Sequence, residues 1–387
     1  MSSDALYKTM LVIDGHADTP QRFVDEGWSF VDPLDGGMIS LESARQGNLA
    51  AEFFAIWVEP AWKGRYAHRA FTLIDGVLQQ VKRYPEQLRL CTSADEILAA
   101  RNNGRFAILL GLEGGHCIEN SLALLRCYYE LGVRYMTLTW ANTNEWADSS
   151  GDLRNPNVQH HDGLTTFGEE VIREMNRLGM MVDVSHVSDK TLEDVLRVSQ
   201  APIIASHSSA RSLTRVPRNL TDEQLRAIAE RGGLVMVNFY AAFLDETWNA
   251  AWIKLRPELL AAQSILTTEY AERGELVPYV VSGKLDKEFA ARLPRPPFSV
   301  LIDHIDHIAK VAGIEHVGLG SDFDGIPALP EGIDSAADLP KIAAALAERG
   351  YAESDLLKLF GENLLRVFRV VQAHSMQAAD AGCAVLR

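Results

Sequence analysis

The feature that most constrains the fold is a regular alternation of short apolar runs with amphipathic stretches. The runs have the length and β-branched content of strands, and helical patterns separate most of them. Most of the runs are almost continuously apolar, as in parallel strands that are buried on both faces. There are eight runs, at residues 9–13, 53–58, 106–115, 134–140, 180–186, 201–211, 234–240 and 316–325. They predict an α/β fold, a closed (β/α)8 barrel of the TIM type.

The main rival is an open, doubly wound sheet that binds a dinucleotide. Such a sheet needs a glycine-rich phosphate loop after its first strand, and GHADTP at 15–20 stands there instead. The alternation breaks only at about 241–297, which is helix-rich and ends proline-rich. We interpret this segment as an insertion on one face of the barrel, before the last strand. Residues 1–387 are therefore predicted to form one barrel domain, with C-terminal helices from about 336.

The charge balance limits the partners that we expect. With 37 basic and 52 acidic residues the net charge is −15, which repels nucleic acid and anionic membranes. We see no signal-peptide pattern and no run of membrane-spanning length. The cysteines have no zinc or redox spacing, and we expect free thiols in a reducing cytoplasm. They are Cys91, Cys117, Cys127 and Cys383.

Residues of metal-ligand type follow five of the predicted strands. In a barrel of this kind the active site lies at the C-terminal ends of the strands. Taken singly, each residue is more often a turn former or a capped side chain. Six of them together, all at strand ends, predict a metal site. The six are His16, Asp18, Glu113, His186, His207 and Asp322.

The composition of this set indicates the metal and the chemistry. Imidazoles and carboxylates without a thiolate suit zinc or another divalent ion in a catalytic site that keeps a water position open. Three histidines and three carboxylates exceed what one tetrahedral ion requires, so two metals with one shared carboxylate are the economical solution. Such a pair lowers the pKa of a bound water and polarises a carbonyl oxygen. Both effects favour the hydrolysis of amides or esters.

The ordered motifs carry a family resemblance that runs from about residue 10 to residue 371. The chain resembles the membrane (renal) dipeptidases, peptidase family M19, within the amidohydrolase-like barrels. The motifs are VIDGHAD, GLEGGH, YMTLT, NTNEWADS, TFGEEVIREMNRLGMMVDVSHVS, PIIASHSSAR, RN at 218–219, LVMVNFY, LIDHIDHI, VGLGSDFDG and ENLLRVF.

The resemblance implies a zinc-dependent dipeptidase that cleaves the peptide bond of small dipeptides through a hydroxide bridging two Zn²⁺ ions. Dipeptides with a D-residue at the C-terminal position are included, and other divalent metals remain open. Glu113 matches the carboxylate that bridges the two ions in that family. The positions of His16 and Asp18 complete one ion, and those of His186 and His207 complete the other.

The resemblance also assigns roles beyond metal binding. Asp322 matches the carboxylate that contacts the metal-bound water and handles its proton, so Asp322 and Glu113 are the predicted catalytic residues. Arg218 matches the residue that holds the C-terminal carboxylate of the substrate, and Asn219 beside it is also predicted to bind substrate. A planar guanidinium suits this role because it grips a carboxylate with two hydrogen bonds.

One position departs from the family pattern. The family carries a histidine directly after the TLT of the fourth strand, whereas this chain has Trp140. An indole donates one hydrogen bond, but it neither accepts one nor carries a proton. Either Trp140 forms an apolar wall that alters side-chain preference, or another group substitutes for the histidine. The candidates in the following loop are His160, His161, Asn142 and Asn144.

Two other functions stay open at this point. The same metal centre could hydrolyse a different small amide, ester or lactam, or deaminate a ring. The chain could also be a binding or maturation protein that keeps the barrel without the chemistry, although all six ligand positions are filled. The family often forms dimers, and a homodimer is a further expectation.

Overall fold

A computed structural model describes residues 7–385, with side chains up to residue 375. Nine parallel strands lie within this part of the chain. They are β1 (Val12–Ala17), β2 (Leu49–Trp57), β3 (Leu88–Leu90), β4 (Phe106–Glu113), β5 (Val133–Thr137), β6 (Met181–Asp183), β7 (Ile204–Ala205), β8 (Leu234–Val237) and β9 (Val317–Leu319). Strand β3 pairs only with the start of β4. The other eight run in the order β2-β1-β9-β8-β7-β6-β5-β4, and the pairing of β2 with β4 closes the barrel.

Helices connect most of these strands. Those before the last strand are α1 (Pro20–Asp25), α2 (Leu41–Gln46), α3 (Tyr66–Arg83), α4 (Ala94–Asn102), α5 (Leu122–Glu130), α6 (Thr166–Leu178), α7 (Asp189–Val198), α8 (Asp222–Glu230), α9 (Ala241–Leu244), α10 (Glu246–Ala271), α11 (Tyr279–Ala290) and α12 (Phe298–Ala312). After β9 come α13 (Leu339–Glu348), α14 (Glu353–Leu357), a π-helical turn (Lys358–Glu362) and α15 (Asn363–Val385). The prediction of a (β/α)8 barrel is confirmed.

The strands divide their side chains between two apolar cores, as alternation along a strand requires. On β2, Phe53 points into the barrel interior, whereas Phe54 and Ile56 belong to the layer between strands and helices. Residues of α15 join the interior cluster, and the ring centres of Phe368 and Phe53 are 6.3 Å apart. The last helix therefore closes one end of the barrel.

Side-chain caps start several of the helices beside the barrel. Thr221 accepts a hydrogen bond from the backbone of Gln224, whose side chain bonds back to Thr221, and this capping box begins α8. Helix α6 begins at a Thr165 cap and ends at Gly179, which adopts the left-handed conformation that glycine accepts at little cost. Each of these helices therefore ends a few residues before the next apolar strand, β6 or β8, begins.

The segment predicted as an insertion contains α9, α10 and α11. Trp248 and Trp252 of α10 stack with ring centres 5.5 Å apart, and they belong to a small apolar cluster that is separate from the barrel cores.

Among the described residues no helix is long and apolar enough to cross a membrane. Cys91, Cys117 and Cys127 are free thiols, as expected. Cys383 lies outside the residues whose side chains are described.

Candidate metal centre

The six predicted ligands lie in one cluster at the C-terminal rim of the barrel. Two groups of three have ligand atoms that all lie within 4.8 Å of one another. One group is His16, Glu113 and His207, and the other is His16, Asp18 and Asp322. His186 joins the cluster because its Nε2 lies 3.0 Å from Oε1 of Glu113.

The two oxygens of Glu113 face different partners. Oε2 lies 3.3 Å from Nε2 of His16. Oε1 faces Nε2 of His186 at 3.0 Å and Nε2 of His207 at 3.5 Å. The carboxylate, at the end of β4, thus stands between one donor set that contains His16 and a second that contains two histidines. This is the arrangement that a shared carboxylate requires.

Tyr135 orients the ring of His16. Its hydroxyl lies 2.8 Å from Nδ1 of His16 and 3.2 Å from the carbonyl oxygen of Gly15. A carbonyl can only accept, so the phenol donates to Gly15 and accepts from a proton on Nδ1. Nε2 is thereby turned towards Asp18 and Glu113, and it makes no hydrogen bond although it is buried. A nitrogen held in this way is suited to bind a cation.

A similar chain of contacts orients His207. The hydroxyl of Ser206 lies 2.7 Å from Nδ1 of His207 and donates to Oδ2 of Asp183 at 2.6 Å. Since the serine proton goes to Asp183, Nδ1 of His207 is the donor, and Nε2 faces the cluster with its lone pair. The hydroxyl of Thr137 also donates to Asp183, at 2.5 Å. Buried polar residues of β5 and β6, and the residue directly after β7, therefore support this candidate ligand.

His186 and Asp322 share an unusual backbone conformation. Their φ angles are +69° and +63°, in the left-handed region that L-residues seldom adopt. The carbonyl of His186 accepts a hydrogen bond from the backbone of Ser150 at 2.8 Å. Asn238 donates to Oδ2 of Asp322 at 2.8 Å. Tight turns directly after the strands thus direct both side chains into the cluster.

Glycine at position 325 makes room for the carboxylates. A Cβ at Gly325 would lie 2.1 Å from Oδ2 of Asp18 and 2.4 Å from Oδ1 of Asp322. Any larger residue would push these two oxygens out of place. The sequence SDFDG therefore supplies both a ligand and the space that its neighbours need.

The buried carboxyl groups and imidazoles of the cluster favour a bound cation. Burial raises the pKa of Asp18 to about 6 and that of Asp322 to about 8, and neighbouring carboxylates add to both shifts. Burial also lowers the pKa of His186 to about 4, helped by the charge of Arg218. Burial opposes a charge on His16, but Tyr135 and Glu113 hold the pKa of that ring well above its ordinary value. Since a proton on His16 occupies the place of a positive ion, the residues fit a divalent metal.

Arg218 lies beside the cluster, in the loop after β7. Burial lowers the pKa of its guanidinium to about 10, which leaves the group charged at neutral pH. It donates to the hydroxyl of Ser208 and to the carbonyl of His207, both at 2.6 Å. Its Nε is buried without a hydrogen-bond partner. A buried cation with a free donor is suited to an incoming carboxylate.

Asn219 and Trp140, also predicted to bind substrate, have different surroundings. The amide of Asn219 is buried and donates to the carbonyls of Thr214 at 3.0 Å and Phe243 at 2.8 Å. It ties the Arg218 loop to α9, and its contact with substrate stays a prediction. The ring of Trp140 lies 4.9 Å from that of Trp57 and 6.4 Å from that of His186. It therefore forms part of an aromatic wall at the edge of the cluster.

The four candidates for the missing histidine are placed unequally. Asn144 is used within its own loop, where Oδ1 accepts from the backbone of Trp146 and Ala147. His161 bonds through Nε2 to the carbonyl of Asn144 at 2.9 Å. His160 and Asn142 differ from these two residues. Both ring nitrogens of His160, and Oδ1 of Asn142, are buried without a hydrogen bond. None of the four is among the ligand groups of the described residues.

The sequence reasoning missed the residues that support the ligands. Tyr135, Asp183, Ser206 and Asn238 all lie within the quoted motifs, but no role was predicted for them. One signal was present, because polar residues inside apolar strand runs are seldom fully buried without a function or partner. Tyr279 was missed for another reason. It comes from the insertion, and its hydroxyl donates to the carbonyl of Gly325 at 3.0 Å.

Comparisons with known proteins agree with this geometry. The family model described as "Membrane dipeptidase (Peptidase family M19)" matches residues 2–381. Dipeptidase 3 of Mus musculus is 34% identical over 374 residues, which cover 95% of this chain. The chain spans 66% of the length of that relative.

Two solved structures are similar over nearly the whole chain. The probable dipeptidase PvdM from Pseudomonas aeruginosa has 26% identity and a TM-score of 0.79, with 96% of this chain and 98% of that chain covered. A metallopeptidase from Rhodobacter sphaeroides, liganded with a phosphinate mimic of the dipeptide L-Ala-D-Ala, has 26% identity and a TM-score of 0.75. The match covers 94% of this chain and 99% of that one. The chain belongs to the membrane dipeptidase family, peptidase family M19, as its sequence predicted.

Proposed function

We propose that this protein is a dipeptidase that binds two Zn²⁺ ions, or two other divalent ions, and cleaves the peptide bond of small dipeptides. The observation that carries the proposal is the position of Glu113. One of its oxygens faces His16, and the other faces His186 and His207. His16 and Asp18 would hold one ion, and the two other histidines would hold the second.

The bound ions and the protein would divide the chemistry. Bound divalent ions would supply Lewis-acid chemistry, because they would lower the pKa of a water molecule and polarise the scissile carbonyl. Asp322 would take up the proton of the attacking water and pass it towards the leaving amine, and the hydrogen bond from Asn238 to one of its oxygens supports this role by fixing the carboxylate. Arg218 would hold the C-terminal carboxylate of the dipeptide and so orient the peptide bond.

The stereochemistry of the second residue is part of the proposal. The Rhodobacter sphaeroides relative binds a mimic of L-Ala-D-Ala. We infer that dipeptides with a D-residue at the C-terminal position are substrates here as well. A cytoplasmic location, a single domain and a homodimer remain predictions from the sequence.

Metal content combined with a dipeptide panel tests the proposal. We expect about two ions per chain, hydrolysis of dipeptides by the loaded protein, and loss of activity after chelation. His186→Ala should remove nearly all activity, whereas His68→Ala, at an exposed position on α3, should not. Full activity in metal-free protein would contradict the proposal. Turnover of small amides, esters or lactams but of no dipeptide would favour the alternative that Trp140 keeps open.

A further inference from the structure

The order of the strands defines which side of the rim the first residue of a dipeptide would occupy. In the closed order, β2 and β7 are four places apart, so their ends face each other across the barrel. Arg218 follows β7, and Trp57 ends β2. Because we propose that Arg218 holds the C-terminal carboxylate, the first residue of the substrate extends across the metal cluster towards Trp57.

A cavity of about 210 Å³ lies on that side. This is roughly the volume of seven waters at ~30 Å³ each, enough for one long side chain. Its lining includes Trp57 at the end of β2, Trp62 in the following turn, and Tyr279 from α11. It adjoins the metal cluster, because the backbone of Gln21, another lining residue, bonds to the carbonyl of Asp18 at 3.2 Å.

The charges around the cavity leave one carboxylate unmatched. Arg69 donates to Asp25 at 2.8 Å and to Gln21 at 2.7 Å, so its charge is balanced. Glu59 also lines the cavity, but its carboxylate makes no hydrogen bond or ion pair with any described residue. Burial raises the pKa of the Glu59 carboxyl, the charge of Arg69 opposes this shift, and Asp286 on α11 adds to it. Glu59 is therefore a carboxyl group without a bonded cation in a half-buried aromatic site.

We propose that this cavity is the side-chain subsite for the first residue of the dipeptide and that it takes a cationic side chain, lysine or arginine, whose charge pairs with Glu59. This inference rests on the dipeptidase function proposed above. An alkyl stem would pack on the rings of Trp57 and Tyr279, whose centres are 4.9 Å apart. Aromatic faces also attract ammonium and guanidinium groups.

The subsite gives Trp140 a positioning role. The centre of its ring lies 4.9 Å from that of Trp57, which also packs against Tyr279. Trp140 would thus hold Trp57 against the cavity, and the residue that departs from the family pattern would act on side-chain preference. This agrees with one of the two explanations that the sequence left open.

Matched substrates test the subsite. The metal-loaded protein is assayed with Lys-D-Ala and norleucine-D-Ala, which differ mainly in the charge at the end of the first side chain. We expect kcat/KM to be about tenfold higher for Lys-D-Ala, the usual size of a charge-assisted contact. In Glu59→Gln this preference should be lost, so that kcat/KM is about equal for the two substrates. Glu86→Gln, at an exposed site before β3, should keep it.

The outcomes separate this inference from the function on which it rests. Equal kcat/KM for the two substrates, or a ratio that survives in Glu59→Gln, overturns the subsite and leaves the dipeptidase intact. If no dipeptide is cleaved, calorimetry still decides, because non-hydrolysable phosphinate mimics with lysine or norleucine in first position need no turnover. Tighter binding of the lysine mimic, lost in Glu59→Gln, supports the subsite, and equal binding overturns it. Thermal unfolding of each variant establishes that it is folded.

Discussion

Replacing Tyr135 by phenylalanine isolates the contact that orients a metal ligand. The hydroxyl supports Nδ1 of His16 at 2.8 Å, and the ring, 5.1 Å from that of Phe53, would keep its packing. Without the hydroxyl, the proton on Nδ1 has no acceptor, and nothing holds the ring with Nε2 towards Asp18 and Glu113. Metal binding must then orient the ring itself. Loss of such a support costs about 10–100-fold in metal affinity, or about 1.4–2.8 kcal/mol.

Competition with a chelator measures the effect, with metal content followed during the titration. We expect the affinity for one ion to fall by this factor in Tyr135→Phe, and the second ion to be affected less. Tyr128→Phe is the matched control, since Tyr128 is also fully buried and its hydroxyl donates to the carbonyl of Cys117 at 3.0 Å, outside the ligand groups. An unchanged affinity in Tyr135→Phe, or an equal loss in both variants, would refute the reasoning.

Two further predictions concern charge. Arg218→Lys keeps the charge but loses the planar pair of donors, so we expect KM for dipeptides to rise about tenfold or more with a smaller change in kcat. Arg173→Lys, at a surface ion pair with Glu169, should leave KM unchanged, and steady-state kinetics would show the contrast. In metal-free protein the pKa values of Asp18, about 6, and Asp322, about 8, lie above those of the unfolded chain. The folded state then holds more protons between pH 4 and 8, and stability falls as pH rises through that range. Thermal unfolding at pH 5 and pH 8 should show this loss, and Asp322→Asn should reduce it; an equal loss in both proteins would contradict the assignment.

The sequence predicts the barrel and the six residues that cluster at its rim well, because both depend on local patterns. An apolar run that ends in a histidine or carboxylate is visible without the fold, as in the runs that carry His186 and His207. The rule that active sites lie at the C-terminal ends of barrel strands then brings these ends together. Strand β3 escaped notice because its three residues pair only with β4 and carry no extended apolar pattern.

The supporting contacts were out of reach for a physical reason. Tyr135 and His16 are separated by 119 positions, and nothing near either residue indicates the other. The cavity beside Glu59 depends on Tyr279, which arrives from the insertion between β8 and β9. Asn219 shows a different limit. A motif shared with a family predicts that this residue has a role, but it does not predict that its amide donates to backbone carbonyls.

The closure of the barrel by the last strand and the last helix has a consequence for synthesis. Strand β9 pairs with β1, and it brings Asp322 beside His16 and Asp18. A nascent chain therefore emerges from the ribosome with His16 and Asp18 but without the strand that completes their surroundings. Helix α15, which closes one end of the barrel, is made later still. The candidate metal centre can form only after β9 has been made, so a chain that stops before β9 has no assembled site.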